Sequence, residues 1–391
     1  MSPLDSVSPQ PKYAQLADHL RRQIDGGVWQ PNHRLPPEID LAKEFSVSRG
    51  TMRQALDLLV DQGLLQRTPG KGTFVTLPST RSRTQQIGIV VPYMRDSLTA
   101  DILRGVESAL RRNGYSLIFC HSEGDPQLEC DQIERLQAEG ASGLILFPVG
   151  AAGEPALLTR LLRPDFPLVI IDRRVPGISA PTVMVDNAGG AYAAAQHLLK
   201  LGHRRIACIS LRQRPSSVVE RIGGYEQALR DAGVLPLATI ELALDEHHSE
   251  QAVPTYTAAE LAPIDQLLHV SEPPTAVFCV NDFIALGVMQ HVIARGVRVP
   301  QQLAIAGFDD IALAPFMPVP LTTVAQPKQE IGVRAAELLL DQITQRHQRP
   351  PVVATARDVI LPTRLVVRGS TQVPVTVSSD PSPLRIASAT P

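Results

Sequence analysis

Val47-Ser48-Arg49-Gly50-Thr51-Met52-Arg53-Gln54-Ala55-Leu56 is the stretch on which the reading of this chain turns. Ser48 is a good N-cap, because its hydroxyl can accept from a free backbone N–H of the helix that follows. Met52, Ala55, Leu56 and Leu59 recur at helical spacing and make an apolar stripe. Arg49 and Arg53, four residues apart, share a different face near the helix start. That is where a helix entering a DNA groove keeps its base and phosphate contacts. Taken alone, the same residues describe an amphipathic surface helix with two solvated arginines equally well.

The neighbouring sequence separates the two readings. Upstream, Leu35-Pro36-Pro37-Glu38-Ile39-Asp40-Leu41-Ala42 predicts a short helix with prolines at its start, where a missing N–H costs nothing. Phe45-Ser46-Val47-Ser48 predicts a tight turn between helices. An earlier helix runs from Tyr13 to Ile24, with Leu16, Leu20 and Ile24 on one side, and Gly26-Gly27 ends it. Downstream, Gly63-Leu64-Leu65-Gln66-Arg67 and Thr73-Phe74-Val75 read as strands joined by Thr68-Pro69-Gly70-Lys71-Gly72, a hairpin with a glycine-rich basic tip. Helix, turn, helix and hairpin make a winged helix-turn-helix over residues 10–77.

This segment resembles the DNA-binding domain of the GntR family of transcription regulators. The resemblance is carried by Tyr13-Ala14-Gln15-Leu16, Leu35-Pro36-Pro37-Glu38, Val47-Ser48-Arg49 with Arg53 and Ala55-Leu56, and Gly70-Lys71-Gly72-Thr73-Phe74-Val75. It implies DNA contacts at Arg49, Thr51 and Arg53 on the recognition helix and at Gly70 on the wing tip. Ser48 and Lys71 stand beside them as further DNA-facing candidates. Ile39 occupies a position where many family members carry an arginine that reaches the DNA.

A chain of 391 residues suits two or three folded units, and 44% hydrophobic content is enough for proper cores. The net charge of −2 excludes a wholly basic, histone-like binder. The charge is uneven: residues 1–83 hold 11 Lys+Arg against 8 Asp+Glu, and the remainder 26 against 31. A mildly basic head on an acidic body fits DNA binding at one end only. Cys120, Cys130, Cys208 and Cys279 are scattered, with no metal-ligand spacing, and read as free thiols in a reducing cytoplasm. Neither a secretory apolar segment nor a membrane-length apolar run is evident, so a cytoplasmic protein is expected.

After Pro78-Ser79-Thr80-Arg81-Ser82-Arg83-Thr84, read as a linker over 78–84, the pattern changes to alternating strands and helices. Ile87–Val91, Leu117–Cys120, Leu144–Phe147 and Leu168–Ile171 are continuous apolar strands separated by helical segments. The rhythm restarts at Ala188, with strands at Ile206–Ser210, Ala276–Val280 and Leu303–Ala306 and helices at Gly223–Ala232 and Asp282–Arg295. Strands apolar on both faces and separated by helices mean parallel sheets covered on both sides. Their number exceeds one doubly wound sheet, so two similar lobes are expected. The fold class is therefore α/β: a winged helix-turn-helix followed by a two-lobed body over 85–370 with two parallel doubly wound sheets. The lobes are placed at about 85–186 with 327–356, and 187–326 with 357–370. Residues 371–391, rich in Ser, Pro and Thr, read as a disordered tail.

From about 85 to 370 the chain resembles the effector-binding domain of the LacI family, which shares the two-lobed fold of periplasmic sugar-binding proteins. The matching runs are Asp172-Arg173, Val185-Asp186-Asn187, Leu201-Gly202-His203-Arg204-Arg205-Ile206, Arg221-Ile222-Gly223-Gly224-Tyr225, Asn281-Asp282, Gly307-Phe308-Asp309-Asp310 and Leu321-Thr322-Thr323-Val324. A GntR-like head on a LacI-like body resembles the arabinose-responsive repressors of Gram-positive bacteria.

In open α/β sheets ligands bind beyond the C-terminal ends of the strands. Asp172 and Arg173 follow one strand, Asn281 and Asp282 another, and Asp309 a third. Polyol recognition needs carboxylates that accept from hydroxyls and Arg or Asn groups that donate back. The family's contact positions coincide with Asp172, Arg173, Arg221, Asn281 and Asp309, with Gln326 at a lobe crossover and Asp96 in the first loop. Asp282 and Asp310 read better as caps. Leu98 and Thr99 stand where sugar-binding relatives often carry stacking aromatics, which leaves Phe147, Tyr93 or Phe316 as a flat surface.

The leading reading is a homodimeric transcription regulator, a repressor of double-stranded operator DNA released by a sugar or sugar derivative, needing no cofactor and no metal. An effector-dependent activator or corepressor-type regulator shares the architecture, and so does a cytoplasmic ligand-binding protein without a DNA role. An enzyme is disfavoured: no Ser/His/Asp or Cys/His set or Walker-type loop appears, and the histidines are dispersed. The winged head, with no secretory segment, disfavours a transport binding protein.

Overall fold

The computed structural model describes residues 11–371 apart from 31, 62, 69–70, 77–84, 95–96, 150–165, 213, 244–255 and 347–357. The chain divides into two compact units, Met1–Thr84 and Gln85–Pro391.

In the first unit, α1 (Lys12–Asp25), α2 (Glu38–Glu44) and α3 (Arg49–Asp61) precede the antiparallel strands β1 (Leu65–Thr68) and β2 (Gly72–Val75). The core takes Leu16, Ala17 and Leu20 from α1, Leu41 and Ala42 from α2, Met52, Ala55, Leu56 and Leu59 from α3, and Leu65 and Val75 from the wing. Burying that stripe of α3 leaves Arg49 and Arg53 exposed. The Thr51 N–H donates to Ser48 Oγ at 3.1 Å, which is the expected N-cap. Ser46 closes α2 in the left-handed region at φ 52°, and the Val47 N–H donates to the Ala42 carbonyl at 2.9 Å.

The second unit holds two six-stranded sheets. The first lobe is built from β3 (Gln85–Val91), α4 (Ser97–Arg112), β4 (Tyr115–His121), α5 (Pro126–Ala138), β5 (Gly143–Leu146), β6 (Leu168–Ile171) and β7 (Thr182–Val185). The second contains α6 (Asn187–Lys200), β8 (Ile206–Leu211), α7 (Ser216–Asp231), β9 (Ile240–Leu242), α8 (Ala262–Leu268), β10 (Ala276–Cys279), α9 (Asp282–Ala294), β11 (Ala304–Asp309) and β12 (Thr322–Ala325). The chain then returns through α10 (Lys328–Arg346) and β13 (Val359–Leu361) and ends on β14 (Arg364–Val366). Strand orders are β13-β7-β6-β5-β3-β4 and β14-β12-β11-β10-β8-β9. In each sheet the lobe's first strand lies between its second and third, so the winding reverses there and opens a crevice at the strand ends.

The structure corrects several boundaries. Val359–Leu361 pairs in parallel with Val183–Val185 and so belongs to the first lobe, not the second. The last crossover therefore falls between Leu361 and Arg364, where β14 turns back antiparallel to β12. Thr371, expected in the tail, is buried, with Oγ1 2.9 Å from both His197 Nε2 and Thr322 Oγ1. The rest of that tail and the linker at 78–84 lie outside the described residues. Helix α7 starts at Ser216, ahead of the expected Gly223, because packing against α6 overrides the weak helix propensity of Val218, Val219 and the Gly223-Gly224 pair. All four cysteines are buried free thiols. Among the described residues no helix is long and apolar enough to cross a membrane.

Helices α4 and α10 pack backbone to backbone. A Cβ on Gly105 would lie 2.1 Å from the Gln329 carbonyl oxygen, and one on Gly332 2.1 Å from that of Ile102. Gly223, by contrast, faces open space. Gly105→Ala is expected to destabilise the body by about 1–3 kcal/mol through overpacking. Gly223→Ala is expected to be neutral or slightly stabilising. Urea midpoints of the two variants check this pair; equal midpoints would refute the close packing.

Candidate functional site

In the first unit the start of α3 is polar and exposed. Ser48 and Arg49 are exposed at the start of α3, and Thr51 Oγ1 lies 2.9 Å from Ser48 Oγ. Arg53 is exposed one turn further on, and its Nε donates to Glu38 Oε1 at 2.8 Å, tying α3 to the start of α2. Arg67 on the wing pairs with Asp57 of α3, which fixes the hairpin against the same helix. Lys71 is exposed beside the turn, while Gly70 lies outside the described residues. Ile39, also on α2, is 41% exposed, an apolar side chain left in solvent next to Glu38.

In the second unit the predicted residues fall into two clusters at the carboxyl ends of the parallel strands. In the first lobe, Asp172 leaves β6 in the left-handed region at φ 71°, and its Oδ2 accepts from Arg173 Nε at 3.0 Å. The Arg173 guanidinium lies over the Phe147 ring, 5.0 Å from the centroid. The ring face that could stack on a sugar is thus covered by a cation–π contact. In the second lobe, Arg221 is 4% exposed. Its Nη1 donates to the Val280 carbonyl at 2.8 Å and lies 3.1 Å from Asp309 Oδ1; its Nε donates to Asn187 Oδ1 at 2.9 Å. The guanidinium carbon sits 3.8 Å from the centre of the Phe308 ring. Asp309 is held at φ 111°, and its Oδ1 accepts from Gln326 Nε2 at 2.6 Å. Non-glycine residues in this part of backbone space persist only where their surroundings hold them, and such strain concentrates at ligand sites.

Ser217 Oγ, at the start of α7, donates to Asp172 Oδ2 at 3.3 Å and joins the two clusters across the lobes. An open cleft of about 370 Å³ adjoins Gln326, with Asp101 and Asp310 on its walls. Asn281 caps a helix: its Oδ1 accepts from the Ile284 N–H at 2.8 Å at the start of α9. Asp282 is fully buried, accepting from Thr323 Oγ1 at 2.5 Å and from the Ile311 N–H at 2.9 Å, which fits the holding role expected of it. Asp310 forms an ion pair with Arg368 at 2.8 Å. Asp96 lies outside the described residues, and Phe316 is 83% exposed.

Four residues of this network were not picked out from the sequence. Asn187 and Phe308 sit inside runs already noted, but nothing local distinguishes them. Ser217 carries no signal. Glu129 had one: it shares the buried stripe of α5 with Ile133 and Leu136, so an acidic side chain occupies an apolar register. Glu129 is 2% exposed, and its Oε2 accepts from the Val149 N–H just beyond β5 at 2.7 Å. Burial pushes its carboxyl up to about 7, against the opposing pull of the Val149 N–H and the Arg173 charge.

A carboxyl raised in the folded state binds its proton more tightly there than in the unfolded chain. Its contribution to stability is thus full below about 4.5, the unfolded value, and is lost as pH rises through about 7. Glu129→Gln keeps an acceptor for Val149 without the charge. It is expected to match the wild type near pH 5 and to exceed it by about 1–3 kcal/mol at pH 8. Chemical denaturation at the two pH values measures the gap; a gap that does not widen with pH would refute it.

Comparison with known proteins bears on the family and the fold. The gntR family of bacterial regulatory proteins matches residues 12–75, and the periplasmic binding protein-like domain matches 195–371. The chain is 35% identical over 367 residues to the arabinose metabolism transcriptional repressor of Geobacillus stearothermophilus, covering 93% of this chain and 98% of that protein. Among solved structures, a LacI family transcriptional regulator from Enterococcus faecium with bound ribose is 26% identical, with a TM-score of 0.59 over 74% of this chain and 99% of its own. The transcriptional regulator CelR–cellobiose complex is likewise 26% identical, with a TM-score of 0.59 over 86% of this chain and all of that one. The chain belongs to the family of transcriptional repressors, with a gntR-type DNA-binding head and a periplasmic-binding-protein-like body.

Proposed function

We propose that this repressor works in the cytoplasm as a homodimer, grips a two-fold operator through its winged heads, and lets go when a sugar or sugar derivative occupies the body. The observation that carries the effector half is the buried Arg221–Asp309–Gln326 cluster, joined across the lobes to Asp172 through Ser217. Carboxylates and a guanidinium converging at strand ends supply the acceptors and donors that vicinal hydroxyls need. The named relatives act in arabinose metabolism or carry ribose or cellobiose, which supports a monosaccharide or short saccharide here. An effector changes operator affinity only by the difference in its affinity for the two states of the protein. A coupling of about 1–3 kcal/mol corresponds to roughly 5–150-fold in operator affinity.

The DNA half rests on the exposed Ser48–Arg53 face, with Arg49, Thr51 and Arg53 toward the groove and Gly70 and Lys71 on the wing. Recognition by helix-turn-helix dimers follows the two-fold symmetry of their sites. Arg53→Ala is expected to lose about 1–3 kcal/mol of operator binding while keeping the fold and effector affinity. Fluorescence anisotropy on labelled upstream DNA reads this, and wild-type affinity in the variant would refute the assignment. Asp309→Asn keeps the shape and an acceptor but not the charge opposite Arg221. It is expected to bind operator normally and to need at least tenfold more L-arabinose, or whichever sugar of a pentose and disaccharide panel releases the wild type. Normal release by the variant would refute the pocket. Sedimentation showing a monomer at micromolar concentration, free and on DNA, would refute the dimer.

A further inference from the structure

A second set of contacts runs along the seam between the lobes and ends on Arg221. Arg174 belongs to the first lobe. Its Nη1 donates to Glu220 Oε1 of α7 at 2.8 Å, and its Nη2 and Nε donate to Asp358 Oδ2 at 3.1 and 3.3 Å. Its backbone N–H donates to Ser216 Oγ at 2.8 Å, so the same residue meets α7 twice. The other carboxylate oxygen of Glu220, Oε2, accepts from Asn187 Nδ2 at 3.3 Å. Asn187 is 1% exposed, its Nδ2 also reaches the Val185 carbonyl at 3.3 Å, and its Oδ1 accepts from Arg221 Nε at 2.9 Å.

A carboxamide has a donor end and an acceptor end. With the carboxylate of Glu220 and the carbonyl of Val185 on one side, the amino group must turn there and Oδ1 must turn to Arg221. If Asn187 flipped, its oxygen would face a carboxylate and its amino group a guanidinium, each pairing like with like. Nε of Arg221 is thereby occupied from behind, and the Nη end is left toward Asp309.

We infer that Glu220 and Asn187 are positioning residues for Arg221, and that Arg174 makes their hold depend on the seam. An ion pair across two lobes is the element most altered when the lobes separate. Opening the seam frees Glu220, loosens the orientation of Asn187 and releases the Nε side of Arg221; closing it sets all three. Only the link to effector affinity rests on the sugar reading above; the positioning of Arg221 does not.

The test uses the full-length protein and begins without effector. The Arg221 Nε–Hε signal is assigned in a transverse-relaxation-optimised ¹H–¹⁵N spectrum by its loss in Arg221→Lys. Glu220→Ala and Arg174→Ala are each expected to shift that signal and to speed its exchange with water several-fold. Glu226→Ala, which removes the partner of Arg230 on the same helix, is expected to leave it in place. Arg174 is half exposed, so its truncation keeps the fold even if Glu220→Ala does not. An unmoved Arg221 signal in Arg174→Ala overturns the inference, and so does a shift in Glu220→Ala alone, which would confine the effect to one lobe. Calorimetry with L-arabinose forms the second arm: each single variant is expected to bind about threefold to tenfold more weakly, and the double variant no more weakly than the weaker single. Additive losses would overturn the relay. If the wild type fails to bind L-arabinose, that counts against this sugar, and the Arg221 signal still decides the seam.

Discussion

A guanidinium does not give up its proton in a protein, so wherever it is buried it must be neutralised and its donors satisfied in place. Arg221 sets that requirement for the second lobe. The ends of three parallel strands answer it: the Val280 carbonyl just beyond β10, the Asp309 carboxylate closing β11, and Gln326 just beyond β12, which holds Asp309. Phe308 supplies the face on which the charge rests. Asp309 is the carboxylate that meets this cation, at 3.1 Å. Asp309 stands opposite it, while burial first and the Asp309 charge second push Asp282 well above the usual carboxylate range. Asp282 serves the loop, and the bonds it accepts from Thr323 and from the Ile311 N–H pull against that rise.

The first lobe holds a comparable pair. Asp172 partners Arg173 at once, Arg173 covers Phe147, and Glu129 lies within its field behind them. Both lobes therefore present an arginine laid over an aromatic ring at the carboxyl end of a sheet. In each, the face of the ring carries the guanidinium. A ligand can bias two states of a regulator only if the groups it touches differ in place between them.

The head obeys a different logic. Its core is a single cluster drawn from all three helices and the wing. Arg49 and Arg53 are left exposed by that core. Arg53 is aimed by Glu38 and the wing is pinned by Arg67 to Asp57, so the basic face is pre-set by two surface ion pairs. Such pairs add little stability in water, so their effect is to hold side chains in place.

What the sequence determined by itself follows from periodicity and local chemistry. The stripe Met52, Ala55, Leu56 and Leu59, the cap at Ser48 and the apolar runs of the buried strands each depend on residues a few positions apart. Winged head, two parallel sheets and the acidic and basic residues at strand ends were therefore legible. What only tertiary structure decided depends on groups far apart in the chain. The strand Val359–Leu361 joined the first sheet because its partner is Val183–Val185, which no local pattern states. Asn281 was spent on capping α9 once that helix needed an acceptor at its start. Ser217 and Asn187 gained their roles only when α7 began at Ser216 and set them beside Asp172 and Arg221. A hydrogen bond across 34 or 45 positions of sequence leaves no trace in either neighbourhood, because each side chain is chosen for a partner that folding alone brings near.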